Sequence, residues 1–168
     1  MNIILQEIVA AKRSRAVEPT ALCGERKKKV LNPVTFLLEK PFIAEVKRSS
    51  PSAGEIRGSV DPAAQAELYR RGGAGAVSVL TEETYFKGSI GDLESVAAQV
   101  DLPVLCKDFI VHESQLDGAH AAGADMVLLI AAILEEEELR RLTRAANALG
   151  MPVLHEIHPL DELRKLGR

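Results

Sequence analysis

The chain has 168 residues, 46% of them hydrophobic and 27% charged, which suits one globular domain with a sizeable core. A net charge of −3 supplies no basic field for nucleic acid, and 4% aromatic residues leave few platforms for stacked bases. No apolar run approaches the ~20 residues of a membrane span, and Cys23 and Cys106 make no disulfide framework.

The N-terminal stretch MNIILQEIVAAKRSR lacks the charged start, apolar middle and small-residue cleavage site of a signal peptide, so a reducing cytoplasm is the expected location. The same stretch reads as a helix. Ile3, Ile4, Ile8 and Val9 recur at helical spacing, with Gln6, Glu7, Lys12 and Arg13 on the other side. Residues 15–29 are polar, with Pro19, Gly24 and a basic run from Arg26 to Lys29 that reads as a solvated helix face or loop. Asn32-Pro33 introduces a short helical turn, Val34 to Leu38. Residues 1–40 thus form a helical extension, and 41–168 a separate region.

From Pro41 onward a unit repeats: a short apolar strand, a loop, an amphipathic helix, then a small-residue turn. Strands are expected at 42–47, 76–80, 103–107, 126–130 and 152–156. Helices are expected at 63–71, 92–99, 113–122 and 135–149, with another beginning at 160–166. Asp61-Pro62 is an N-cap followed by proline at the first helical position. Gly72-Gly73, Gly123 and Gly150 stop helices, and the acidic turn Glu135 to Glu138 complements a helix dipole. Alternating strands and helices imply a parallel α/β sheet with right-handed crossovers.

Strands of such a sheet are buried on both faces and should be nearly all apolar, so their charges are informative. Glu45 and Lys47 lie two apart in PFIAEVK and therefore share a face. Lys107 ends the third strand and Glu156 the fifth. In a (β/α)₈ barrel, alternate strands feed the same interior layer, and chemistry gathers at the C-terminal strand ends. The four charges are therefore expected to converge at one mouth, as an acid–base site or as a structural ion-pair network. The Ser-Ser-Pro-Ser-Ala-Gly loop after the first strand would let a ligand approach the backbone. Cys106 should point away from Lys107, toward the helices, as a packed thiol.

EVKRSSPSAG, LTEETYFKGS, LCKDFIVHESQL, GADMVLLIAAIL and VLHEIHPLDEL together resemble successive motifs of the indole-3-glycerol phosphate synthase family, in family order from Pro41 to the end. The N-terminal helix resembles that family's extra helix. The resemblance implies a TIM (β/α)₈-barrel fold, here with about five βα units. It also implies conversion of 1-(2-carboxyphenylamino)-1-deoxyribulose 5-phosphate to indole-3-glycerol phosphate, with loss of carbon dioxide and water, in tryptophan biosynthesis. No organic cofactor or metal is implied. Lys107 matches the family's general acid, Glu156 the acid/base group of the dehydration half, and Glu45 the catalytic carboxylate. Lys47 matches the lysine that neutralises substrate anions including the phosphate, and Ser50 the serine of a Ser-Pro-Ser segment. Phe86, Phe109 and Leu128 match apolar positions that hold the anthranilate ring, and each also has a core-packing explanation.

Competing motifs are weak. The two histidines of His155-Glu156-Ile157-His158 are three apart on a strand, whereas a zincin needs H-E-x-x-H on a helix. Gly72-Gly73-Ala74-Gly75 follows a helix and precedes a strand, the reverse of a dinucleotide loop. A phosphoribosylanthranilate isomerase would need a Cys/Asp pair at its strand ends where this chain has lysine and glutamate. A closed barrel takes about 250 residues, and the family's later Ile-Asn-Asn-Arg and Glu-Ser-Gly motifs have no counterpart here. The expectation is therefore an incomplete copy that lacks much of the usual phosphate site. Such a copy acts alone, self-associates, is completed by a C-terminal fragment, or serves only as a non-catalytic assembly module.

Overall fold

The computed structural model describes residues 3–15, 25–50, 54–55 and 61–166. Cys23, Pro19, Gly24 and the Pro51 to Ala53 part of the small-residue loop lie outside them, as does the side chain of Ser50. Five strands form one sheet: β1 (Ile43–Val46), β4 (Ala76–Leu80), β5 (Val104–Lys107), β6 (Met126–Ile130) and β7 (Val153–Glu156). They stand in that order, and every pairing is parallel. Between β1 and β4 a small antiparallel hairpin joins β2 (Ser49–Ser50) to β3 (Gly54–Glu55). Each of the five main strands falls within one residue of its expected bounds; the hairpin was not foreseen. This is the sheet of a (β/α)₈ barrel over five consecutive units.

The helices are α1 (Ile3–Arg15), α2 (Pro33–Glu39), α3 (Pro62–Arg71), α4 (Ile90–Gln99), α5 (Glu113–Ala121) and α6 (Glu136–Ala148). Their ends follow local chemistry. The Asn32 side chain accepts the Val34 N–H at 3.0 Å, and Asp61 accepts the Ala63 N–H at 3.0 Å. Past α5 and α6, Gly123 (φ 99°) and Gly150 (φ 78°) occupy the left-handed region that a side chain would strain. The expected helix at 160–166 is instead a 3₁₀ helix. Its start is drawn tight as the Glu162 N–H donates to the Pro159 carbonyl and the Glu162 carboxylate accepts the His158 N–H, each at 3.0 Å.

The core follows the sheet. β4 and β6 are buried at all five positions, because neighbouring strands flank them on both sides. The edge strands β1 and β7 are mostly half-buried. Leu93, Leu116, Leu139 and Leu142 are fully buried, each contributing roughly 1.5–3 kcal/mol of apolar transfer. Among the described residues, no helix is long and apolar enough to cross a membrane.

One expectation needs correction at the N-terminal end. The basic run is not a solvated face. Burial alternates along it, so that Lys27 and Lys29 are exposed while Arg26 and Lys28 are half-buried. Arg26 donates to Asp125 at 2.7 Å and Lys28 to the Val100 carbonyl at 2.5 Å. Two cations on the polar side of α1 pair with carboxylates of the barrel region. Lys12 pairs with Asp108 at 2.7 Å and Arg13 with Glu138 at 2.7 Å, while Ile3 is 71% exposed. The reason is charge: carboxylates on the barrel body, with Asp108 and Asp125 buried and Glu138 partly so, pair with these cations.

Candidate active site

Glu45 sits in the middle of β1, where the Tyr69 hydroxyl of α3 donates to its backbone carbonyl at 3.0 Å. Its carboxylate is shared by two lysines. Lys107 Nζ donates to Oε2 at 2.5 Å and Lys47 Nζ pairs with Oε1 at 2.8 Å. Sheet register explains the meeting. Glu45 is level with Ser78, and Leu80 with Lys107; one residue beyond the β1 ladder, Lys47 comes level with Leu80. Side chains two apart on a strand share a face, so the three charges meet opposite the helix layer. Burial pushes the Glu45 carboxyl up, but hydrogen bonds from Lys107 and Lys47 outweigh it and hold the group below the usual carboxylate range. The side chains of Glu45, Lys47 and Lys107 remain 28%, 32% and 35% exposed. They are therefore open to a ligand.

Glu156 stands apart from this cluster. Cys106, Val127 and Val153 share one level, so Glu156 lies two residues nearer the strand ends than Lys107 and one strand beyond β6. It is on the same face as Lys107, since its neighbour His155 reaches back to Thr143 of α6 at 3.0 Å. The Glu156 carboxylate bonds His158 Nε2 at 2.8 Å. Of the four charges expected to converge, three do so, and the fourth shares their face without touching them. The two histidines thus engage different partners, Thr143 and Glu156.

The apolar candidates also separate. Phe86, in the loop after β4, stacks at a tilt on Phe109, just beyond β5, with ring centroids 6.1 Å apart and planes at 35°. Leu128 is 4% exposed and packs in the core, level with Lys107. Ser50 pairs through its backbone with Gly54 in the hairpin that follows Lys47. Arg48 anchors the same segment to Asp92 in the first turn of α4, at 2.7 and 3.1 Å.

Two buried acids escaped the sequence reading. Asp108 follows Lys107 and accepts the Thr81 hydroxyl at 2.8 Å, the Phe109 N–H at 2.7 Å and the Lys12 ammonium. Glu82 follows β4 and accepts three backbone N–H groups of its own loop. The available signal was position: an acid placed directly after an apolar strand, in a loop that also bears an aromatic residue. Cys106 is buried beside Thr81, and burial, reinforced by Asp108, pushes its thiol up to about 12, so it is an inert packed group.

A parallel β/α sheet that carries a carboxylate–lysine cluster and an aromatic pair at its C-terminal strand ends has the layout of a (β/α)-barrel enzyme. The sequence profile of the indole-3-glycerol phosphate synthase family matches residues 22–166. The chain is 46% identical to the indole-3-glycerol phosphate synthase of Listeria welshimeri and 47% identical to that of Listeria monocytogenes, across 97% of this chain and 68% of each relative. It is 52% identical to the enzyme of that name from Exiguobacterium sibiricum, over 75% of this chain and 49% of the relative. The chain belongs to the indole-3-glycerol phosphate synthase family. It spans about two thirds of the Listeria relatives and about half of the Exiguobacterium one.

Proposed function

We propose that this chain carries the acid–base machinery for the decarboxylating, dehydrating ring closure of 1-(2-carboxyphenylamino)-1-deoxyribulose 5-phosphate to indole-3-glycerol phosphate. The observation that carries the reading is the Lys107 ammonium on Glu45 at 2.5 Å, about a third open, two residues along the chain from Phe109. Lys107 is the general acid. It hydrogen-bonds the substrate's ketone oxygen and protonates it as the ring carbon bearing the carboxylate attacks the carbonyl carbon. Carbon dioxide leaves as the ring regains its aromaticity; the new hydroxyl then departs as water while the methylene carbon beside the nitrogen loses a proton, and Glu156 supplies the acid–base step of that dehydration. Glu45 holds the Lys107 ammonium in place and in reach. Lys47 neutralises substrate anions, and Ser50 lines the same segment. Phe86, Phe109 and Leu128 bound the anthranilate ring. Residues 1–40 act as a helical extension that ties down the loops of the barrel region, 41–168. The buried Cys106 thiol suits a reducing cytoplasm.

The sheet edges support a completing partner, either a C-terminal fragment of the family's barrel or a second copy. On β7 Leu154 is 43% exposed, beyond it Leu163 is 46% and Leu160 81% exposed, and on the β1 side Phe42 is 49% exposed. Turnover followed by indole fluorescence, with Lys107→Ala as control, tests the function. Product that falls by about 10²–10⁴ in the variant upholds the assignment. Product unchanged by the variant would sink it. Activity that appears only after a chain carrying the later strands is added would show that the completing segment is required.

A further inference from the structure

Glu82 is the second residue after β4, is 3% exposed, and takes no part in the lysine cluster. Its Oε1 accepts the Thr84 N–H at 2.9 Å, and its Oε2 accepts the N–H groups of Tyr85 at 2.7 Å and Phe86 at 3.1 Å. Its own backbone carbonyl accepts the Gly88 N–H at 2.9 Å. One residue therefore closes this loop twice. The loop is tight enough to need that. Lys87 is the non-glycine residue at positive φ (56°) among those described, and a Cβ on Gly88 would lie 1.9 Å from the Leu80 carbonyl oxygen. What the closure delivers is the Phe86 backbone, held so that its ring meets Phe109 at 6.1 Å.

We propose that Glu82 is a positioning residue for the aryl-carboxylate half of the substrate: its anchored carboxylate presets the Phe86–Phe109 wall before the ligand arrives. The proposal rests on the function proposed above and adds to it the residue that sets the wall. A carboxylate is required because both oxygens are used and neither faces an acceptor. Glutamine offers one oxygen, enough for Thr84 or for the Tyr85–Phe86 pair, and turns an NH₂ toward the remaining N–H donors. A wall set in advance matters because the attacking ring carbon must approach a carbonyl whose position Lys107 controls, and misplacement by about 1 Å costs on the order of 10² in rate.

The test compares wild type with Glu82→Gln by two readouts. The first is the nuclear Overhauser contact between the Phe86 and Phe109 rings in the unbound protein. The second is calorimetric titration with anthranilate and, separately, with ribulose 5-phosphate. The expected result is loss of the ring contact and about tenfold weaker anthranilate binding, with ribulose 5-phosphate affinity unchanged. Phe86→Ala should reproduce the anthranilate loss with Glu82 intact. Retention of the ring contact in E82Q, or equal weakening of both ligands, overturns the proposal. A wild-type chain that binds neither probe defeats the functional reading instead, and the ring contact then decides the role of Glu82 by itself. Should E82Q not fold, Glu82→Asp keeps both oxygens and the charge but retracts them by one methylene, and carries the same comparison.

Discussion

Both ends of the sheet are organised around a carboxylate held by basic side chains, and the two are built to opposite ends. At the N-terminal end Asp125 is 2% exposed and its Arg26 partner 7%. Arg26 and the N–H groups of Leu31 and Val104 donate to it at 2.7, 2.8 and 2.9 Å. That anion is fully occupied and sealed. At the C-terminal end Glu45 is also shared between donors, but both donors are lysines, and the three side chains keep about a third of their surface open. A sealed, saturated pair can only hold structure. An open one, in which a substrate oxygen can compete for each ammonium, can change partners. The difference agrees with the division of labour in β/α barrels, where the strand N-termini serve stability and the C-termini serve chemistry.

The sharpest way to break the comparison is at the sealed end. Asp125→Ala leaves Arg26 charged and buried, along with two unpaired backbone N–H groups, and should destabilise the chain by about 3–5 kcal/mol. Urea denaturation midpoints would measure it; a loss below about 1 kcal/mol would mean that the two ends are alike. At the open end the effect should move from stability to chemistry. Glu45→Gln should alter the unfolding free energy by no more than about 1 kcal/mol, while indole product formation falls by about 10²-fold as Lys107 loses its counter-charge. Equal losses in both assays would place Glu45 with Asp125 as structural.

The smallest effect sharpens the role of α1. The hydrogen bond from Arg13 holds the Glu138 carboxyl at about 2, against an ordinary 4.5. A carboxyl lowered in the folded state stabilises above its unfolded value, and that contribution is lost as pH falls from about 4.5 toward 2. Arg13→Ala should therefore lower stability at pH 7 to 8 by the whole of that contribution and flatten the profile below about 4.5, so that variant and wild type converge toward pH 2. Thermal melts across the acid range would show it. An unchanged acid limb would mean that the ion pair gives α1 no hold on the barrel.

Legibility from sequence varied with the range of the forces involved. The runs Ala76 to Leu80 and Met126 to Ile130 were readable as strands because burial on both faces demands unbroken apolar residues. Glu45 and Lys47 stood out against such a run, and their two-residue spacing fixed a shared face. Phe86 and Phe109 were named through family motifs, and the structure sets them ring to ring. The basic run was misread because Arg26 meets its anion 99 residues later, and nothing near Arg26 in the chain announces Asp125. Lys12 and Asp108 are separated by 96 positions, and they were missed for the same reason. Glu82 was missed although its partners are local, because an acid in a polar loop looks like any solvated charge until the loop is seen to be closed around it.

By itself the sequence determined the order of the five main strands and the helices between them, the parallel sheet, and the lysine and carboxylate types at the strand ends. Those follow from periodicity, capping and burial, which act over a few residues. Only the tertiary structure decided which charge meets which: that Lys107 shares Glu45 with Lys47, that Glu156 turns to His158, and that Arg26 is sealed against Asp125. Partner choice depends on strand register and on which charges lose their water, and both are settled only when distant segments pack.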